Sequence, residues 1–258
     1  MFTYWFVFIV ISIFSLSSTA TRVFVNLGRY RVDVLTSIFI VLFLILGLRY
    51  NTGGDWGPYF RLNQSVVGTP LSSILNQDQA YSLLNWIGAN VFGGVFIPNL
   101  VVSGIFLFGL KKFCDKLPNS ALGLLISLPY LVWVVGQGYV RQAGAIGCFL
   151  WAVSDMNNKS SWNYYFKLAI AVLFHKTAVL LLPFGIFSKA KILSLKNFLI
   201  SLGVICFSLL IFNALVYDFI SGMWNNYLAA EQSGITASGT AVRLSMTVLC
   251  ALGTVLCI

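Results

Sequence analysis

An all-α, polytopic membrane bundle is the fold class this sequence predicts, and three observations carry the prediction. Only 9% of the residues are charged and 59% are hydrophobic, against about 25% charged in a soluble domain, so the chain cannot cover itself with polar surface. Its apolar residues are grouped into long runs, most of them near the ~17–25 residues a spanning helix needs. Lys and Arg collect in short stretches between those runs, where they act first as topology signals. The net charge of +9 is therefore not read as a nucleic-acid footprint.

The runs cover 3–20, 34–48, 91–110, 119–135, 139–154, 163–187, 197–216 and 241–258. The first could pass for a signal peptide, but it lacks a positive n-region and predicts a first membrane helix. The run at 34–48 is short and extends into Arg49 and Tyr50. The run at 163–187 is interrupted by His175, Lys176 and Pro183, and reads as one long helix or two short ones. The last run is still apolar at Ile258, which suggests a chain cut short with further helices following. Residues 1–258 read as a single membrane domain of about eight or nine segments. Cys148, Cys206, Cys250 and Cys257 lie inside apolar runs and Cys114 follows two lysines. Without CxxC or Cys/His spacing, they read as packing residues.

Four stretches are basic: 21–33 (Arg22, Arg29, Arg31), 111–118 (Lys111, Lys112, Lys116), 155–162 (Lys159) and 188–196 (Lys189, Lys191, Lys196). One topology puts all four in the cytoplasm. The N-terminus is outside, and 163–187 is a hairpin of two short segments with its tip near His175. Stretches 49–90, 136–140 and 217–240 are then outside. Arg49, Asp55, Arg61, Arg141, His175, Lys176, Asp218, Glu231 and Arg243 fall on or near that outer face. Ionisable groups at the membrane edge are expensive and mark functional candidates by default.

Four stretches stand out there. In "GLRYNTGGDW" (47–56), Gly53 and Gly54 permit positive φ and close backbone approach. With Arg49 and Asp55 they form a turn that can bind a phosphate and orient a hydroxyl. An interfacial turn with Arg49 snorkelling, and Trp56 and Tyr59 as belt residues, accounts for the same pattern. In "GQGYVRQAGAIGCFLWA" (136–152), Arg141 and Gln142 start a helix rich in small residues that favour close packing. Arg141 points either to lipid headgroups or into a bundle cavity. In "AVLFHKTAVLLLPF" (171–184), His175 is a hydrogen-bonded packing residue or an acid–base group working near neutral pH. Lys176 beside it can meet a phosphate as a point charge. In "MWNNYLAAEQSGITASGTAVRLSM" (223–246), Trp224, Asn225, Asn226 and Tyr227 suit a sugar, and Ser238 and Gly239 precede Arg243. An ordinary interfacial loop is the alternative. No Walker A, HExxH, GxSxG or DxD-like motif is present, which argues against a soluble nucleotide donor.

The segments "LRYNTGGDWGPYF" (48–60), "YVRQAGAIG" (139–147), "FHKTAVLLLP" (174–183) and "SGTAVR" (238–243), in that order, resemble the EpsG/Wzy-type polysaccharide polymerases of bacterial inner membranes. Arg49, Gly53 or Gly54, Asp55 and Tyr59 match the first element of that pattern, and Arg141 and Gln142 the second. His175 matches the third, and Ser238, Gly239 and Arg243 the fourth. Lys176 departs from it, and the chain is shorter than such polymerases usually are.

The resemblance implies a GT-C-like glycosyltransferase membrane core that joins lipid-linked oligosaccharide repeat units into O-antigen or other surface polysaccharide at the outer face of the inner membrane. Donor and acceptor are glycans on undecaprenyl diphosphate. The bilayer is a partner, and a chain-length regulator protein is a further one. Arginines stabilise the leaving diphosphate, and a base orients or deprotonates the acceptor hydroxyl. No cofactor and no metal are expected, with arginine in the metal's place. A histidine ionises near working pH, whereas an aspartate at ~3.9 is a weak base. His175 is therefore expected to act on the hydroxyl while Asp55 holds Arg49 or sugar hydroxyls. Arg49, Arg141 and Arg243 are expected to converge on one outward-facing site.

Two other functions compete. A flippase for the same lipid-linked glycan needs a charged central cavity and often an internal repeat; here the charges gather outside and no repeat is evident. A membrane acyltransferase that decorates surface glycans draws its donor from the cytoplasm, which the outer placement of His175 disfavours.

Overall fold

The computed structural model describes residues 2–17, 24–27, 30–53, 55–73, 78–156, 161–182 and 184–187, and single positions 203, 207 and 221. Backbone packing divides the chain into two units, Met1–Ser208 and Leu209–Ile258. In the second, only Ser221 is described, and it is helical. Tyr227, Ser238, Gly239 and Arg243 lie outside the described residues, as does Gly54 in the first unit.

The first unit is built from helices α1 (Phe2–Ser17), α2 (Val34–Gly47), α3 (Trp56–Ser65), α4 (Gln79–Asn90), α5 (Phe96–Cys114), α6 (Ser120–Ser127), α7 (Val140–Ser154), α8 (Ser161–Phe174) and the short α9 (Phe184–Phe187). The helical expectation holds for the bulk of it. The exception lies within the basic stretch 21–33, where β1 (Phe24–Leu27) pairs antiparallel with β2 (Tyr30–Asp33), Phe24 opposite Asp33. Asp33 ends β2 and starts α2. Its carboxylate accepts from the Leu35 amide (3.2 Å) and the Thr36 hydroxyl (2.6 Å), satisfying a donor the helix start leaves open.

Among the described residues, α5 is the one helix long and apolar enough by itself to cross a membrane. Apolar helices over Trp5–Ser15, Val34–Gly47 and Ser120–Gly136 are shorter. Ile13, Ile40 and Ile126 are exposed on these helices, an outward apolar surface that suits lipid rather than water. Inside, Leu42, Leu46, Phe106, Leu124, Leu128, Val132 and Leu168 are fully buried in one core.

The tightest crossing is between α5 and α7, and two glycines make it. A Cβ on Gly109 would lie 1.9 Å from the Gly147 carbonyl oxygen, and a Cβ on Gly147 would lie 2.5 Å from Phe106 Cα. Backbone therefore meets backbone, the close approach that small residues permit between membrane helices. Gly147→Leu is expected to destabilise the protein by about 3 kcal/mol or more, since overpacking against backbone cannot be relieved by a rotamer change. Thermal unfolding in detergent checks this, and an unchanged melting temperature would contradict the crossing.

Helix directions sort the charges. α5 runs from Asn99 near its start to Lys111 and Lys112 in its last turn, where Lys111 pairs with Asp115 at 2.8 Å. At that same end Asn119 donates to the Ser15 carbonyl at the close of α1 (3.4 Å). α7 runs the same way, from Arg141 to Ser154, with Gly147 beside Phe106 and Trp151 against Phe108, and α8 returns, with Lys167 by Asp155 and Phe174 by Gly144. Lys167 of α8 is buried, bonds to Asp155 just past α7, and lies 4.3 Å from the Trp151 ring centroid. A charge is tolerated in such a place because it is paired.

Between α6 and α7 the chain continues as a π-helix over Leu128–Gly136, a rare geometry that recurs at functional sites. The predicted outer stretch 49–90 holds two short helices, α3 and α4. They are tied together by Asn63 Nδ2 donating to Asn85 Oδ1 (2.9 Å) and by Trp86 Nε1 donating to the Thr69 carbonyl (2.8 Å).

Candidate functional site

The break at His175 is the first feature of the site. α8 stops at Phe174, His175 is extended (φ −157°, ψ 119°), and a 3-10 turn follows over Lys176–Leu181. That turn folds back along α8. The Tyr164 hydroxyl, near the start of α8, donates to the Leu181 carbonyl at 2.6 Å. A Cβ on Gly185 of α9 would meet the Tyr164 ring at 2.7 Å. The interrupted run is thus two short segments rather than one long helix, and His175 is at the bend.

Asp78 is the hub around which the bend is organised. It precedes α4 in the position where an aspartate usually accepts from its own helix's amides. Here it makes no such bond. Its Oδ2 instead accepts from Arg141 Nη1 at 2.9 Å, and lies 3.6 Å from His175 Nδ1. Its Oδ1 accepts from the Lys176 backbone N–H at 3.4 Å. Burial pushes the Asp78 carboxyl up, but His175 and Arg141 beside it pull harder, and the group is held below the ordinary aspartate range. A carboxyl depressed on folding contributes stability above its unfolded value of ~3.9 and loses it as pH falls through the folded value. Asp78 therefore stabilises the fold at neutral pH and ceases to do so only in acid.

Two tyrosines line the same place. Tyr59 of α3 and Tyr81 of α4 stack edge to face at 5.4 Å, and the Arg141 guanidinium lies 5.7 and 5.9 Å from their ring centroids. These distances suit cation–π attraction, which supplements the ion pair with Asp78.

Arg49 is placed differently. Only 5% of it is exposed. Its Nη2 is 3.5 Å from Asn99 Oδ1, its guanidinium carbon is 5.9 Å from the Trp56 ring, and its buried Nη1 has no hydrogen-bond partner among the described residues. Burial lowers its affinity for a proton, opposed by the nearby oxygens of Tyr81, Tyr59 and Asp55. Buried Thr52 Oγ1 and Asn99 Nδ2 are likewise without partners among the described residues.

Other candidates fare unequally. Gly53 has φ +97°, and a Cβ there would lie 2.4 Å from the Gln137 carbonyl oxygen. Glycine is thus required by the turn and by the contact with the end of the π-helix. Asp55 is half-buried at the start of α3, and its side chain does not cap that helix. Gln142 is exposed in the first turn of α7, and no described contact joins it to the cluster. Lys176 gives Asp78 its backbone N–H while the residue itself is exposed. Of the three arginines, Arg49 and Arg141 both act on the Tyr59–Tyr81 pair; Arg243 is outside the described residues.

Asp78 is the residue that sequence reasoning missed. Its neighbourhood reads as a polar loop, and the outer charges gathered by topology pass over it. The available signal was an acidic residue directly before a helical pattern, in a chain with only seven Asp and Glu in all. No curated protein and no solved structure matches the chain. One family profile does, over residues 34–258, a span that takes in Arg49, Asp78, Arg141 and His175 alike. The chain belongs to the EpsG family, a membrane-associated group with polymerase-like glycosyl-transfer roles in polysaccharide biosynthesis.

Proposed function

We propose that this protein polymerises undecaprenyl-diphosphate-linked oligosaccharide repeat units into O-antigen or a related surface polysaccharide. It works as a multi-pass enzyme of the bacterial inner membrane, through a GT-C-like core with its site facing outward. The observation that carries this reading is the grouping of Arg141, Asp78 and His175 beside Tyr59 and Tyr81, with buried Arg49 near the same tyrosines. That grouping sits where α7 begins and α8 ends, away from the lysines that close α5. By the positive-inside rule the lysine end is cytoplasmic.

The chemistry asks for charge, position and a base. An acceptor sugar hydroxyl attacks the anomeric carbon of the donor glycan. Its proton passes to His175, and the bond from the anomeric carbon to the diphosphate oxygen breaks. The electron pair leaves on undecaprenyl diphosphate, whose charge Arg49 meets with an unused N–H. No metal is invoked, because the Arg49 guanidinium supplies the positive charge. His175 is preferred to Asp55 as the base because it stands in the cluster with Asp78. Asp55 lies close enough to act on Arg49's charge, in keeping with a supporting role. Tyr59 and Tyr81 offer aromatic faces to a sugar ring. The bilayer delivers both substrates, and a chain-length regulator is the protein partner this function implies.

A deletion strain tests the proposal. It is expected to carry single repeat units on its surface and no long chains, with long chains returning when the chain is supplied. If single units vanish as well, export is the function. In the same strain, cysteines introduced as Gln64→Cys and Lys116→Cys are expected to label from opposite sides of the membrane.

A further inference from the structure

Arg141 and Arg49 are both cations at this site, yet their surroundings differ in kind. Arg141 already has a carboxylate at 2.9 Å, whereas Arg49 has an N–H without a partner among the described residues. A guanidinium committed to a carboxylate is poorly placed to take up a leaving diphosphate as well. Asp78 for its part forgoes the helix cap that its position offers and turns both oxygens to other elements. The arrangement Arg141–Asp78–His175 draws on α7, the start of α4 and the end of α8. The geometry points to a relay in which Asp78 is a positioning residue. It holds His175 with Nδ1–H toward its carboxylate, leaving Nε2 to take the acceptor hydroxyl's proton, and Arg141 braces Asp78 rather than binding diphosphate.

This inference rests on the glycosyl-transfer reading of the site. Its physical basis is the two-nitrogen logic of imidazole. A neutral ring has one donor and one acceptor nitrogen, and the partner of one fixes the role of the other. Nδ1 is buried and lies 3.6 Å from Asp78 Oδ2, a gap that a small rotation of either side chain closes to hydrogen-bond range. With Nδ1 committed, Nε2 is the acceptor, as a base for a hydroxyl requires. The charged groups around the pair are Arg141 from α7, Lys176 beside the histidine and, through the tyrosines, Arg49; none of them is an acceptor that could hold Nδ1–H in place of Asp78.

Because His175 is the only histidine in the chain, its ring can be read directly. The full chain, labelled with 15N-histidine and reconstituted in lipid, is examined by NMR at alkaline pH. Nitrogen shifts are expected to show Nδ1 protonated and Nε2 bare. In Asp78→Asn the ring is expected to shift toward the Nε2–H form, and polymer formation to fall by about 10²–10⁴-fold, the scale on which a base in the wrong tautomer fails. Asp78→Glu, which keeps a carboxylate, is expected to restore part of both the ring state and the rate. Arg141→Lys, which can still brace Asp78, is expected to retain more activity than Arg141→Met. Nε2–H in the unaltered protein would overturn the inference, as would an Asp78→Asn protein that loses activity with its ring unchanged. If the ring responds as expected but no variant and no parent makes polymer, the glycosyl-transfer reading fails and the positioning role stands.

Discussion

Arg49→Met is expected to abolish long-chain polymer, by at least about 10³-fold, while leaving the protein as stable as before or more so. The two halves of that result have one cause. Arg49 is 5% exposed, and its Nη1, with Thr52 Oγ1 and Asn99 Nδ2 nearby in the chain and the fold, has no hydrogen-bond partner among the described residues. Asn99 spends its oxygen on Arg49 Nη2, which leaves its amide as a donor. All three unsatisfied groups therefore have a hydrogen to give, and what completes them is an acceptor, best an anion. A buried cation with an N–H left unfilled is costly, and an apolar side chain of similar length removes that cost. Arg49→Lys keeps the charge but loses the fork of N–H groups, and a loss of about 10–100-fold is expected. Polymer ladders on gels and thermal unfolding in detergent measure the two halves separately. Wild-type chain lengths in Arg49→Met would remove Arg49 from the mechanism.

His175→Gln is expected to lose about 10²–10⁴-fold in polymer formation, the usual worth of a positioned base, with insertion into the membrane unaffected. Glutamine keeps a polar side chain at the bend after α8 and loses the titrating nitrogen. His175 is partly exposed at the bend rather than deep in the core, 21% by side chain, so a sugar hydroxyl has an approach. Asp55→Asn is expected to cost less, because its influence reaches the site through Arg49. Rates from purified lipid-linked repeat units decide the order. If Asp55→Asn is inert and His175→Gln is fully active, the base has been assigned to the wrong residue.

Much of the bundle is legible from hydropathy alone. The runs at 34–48, 119–135 and 139–154 correspond to α2, to α6 with its π-helical continuation, and to α7 within a few residues. The run at 91–110 is displaced, since the helix begins at Phe96 and carries its lysines to Cys114. A positive φ at Gly93 turns the chain before it. The break at His175 is readable too, because His175, Lys176 and Pro183 interrupt an apolar run. What hydropathy does not contain is partnership across the fold. Asp78 matters because Arg141 and Lys176, 63 and 98 residues later, come to it. Its local sequence, polar on both sides, gives no sign of that. Gly53 suggests a phosphate-binding turn when read locally. Its need for glycine comes instead from its own positive φ and from the carbonyl of Gln137, far along the chain. α3 and α4 escape the reading because short helices packed through Asn63 and Asn85 have the composition of a loop.

The glycine crossing of α5 and α7 bears on how well the site is aligned. Gly147 stands about 9 Å along α7 from Arg141, and Gly109 about 15 Å along α5 from Asn99, at 1.5 Å per residue. Two backbones in direct contact act as a fulcrum, and each helix is a lever with a functional side chain at its tip. Opening the crossing angle by about 5° would carry Arg141 roughly 0.8 Å and Asn99 roughly 1.3 Å from their places, on the arm lengths that the helical rise sets. Displacements near 1 Å can cost on the order of 10²-fold in rate. The alignment tolerance of the end that carries Arg141 and Asn99 is thus set at two residues outside the charged cluster, and a mild substitution there can leave a well-folded protein that has simply lost its aim.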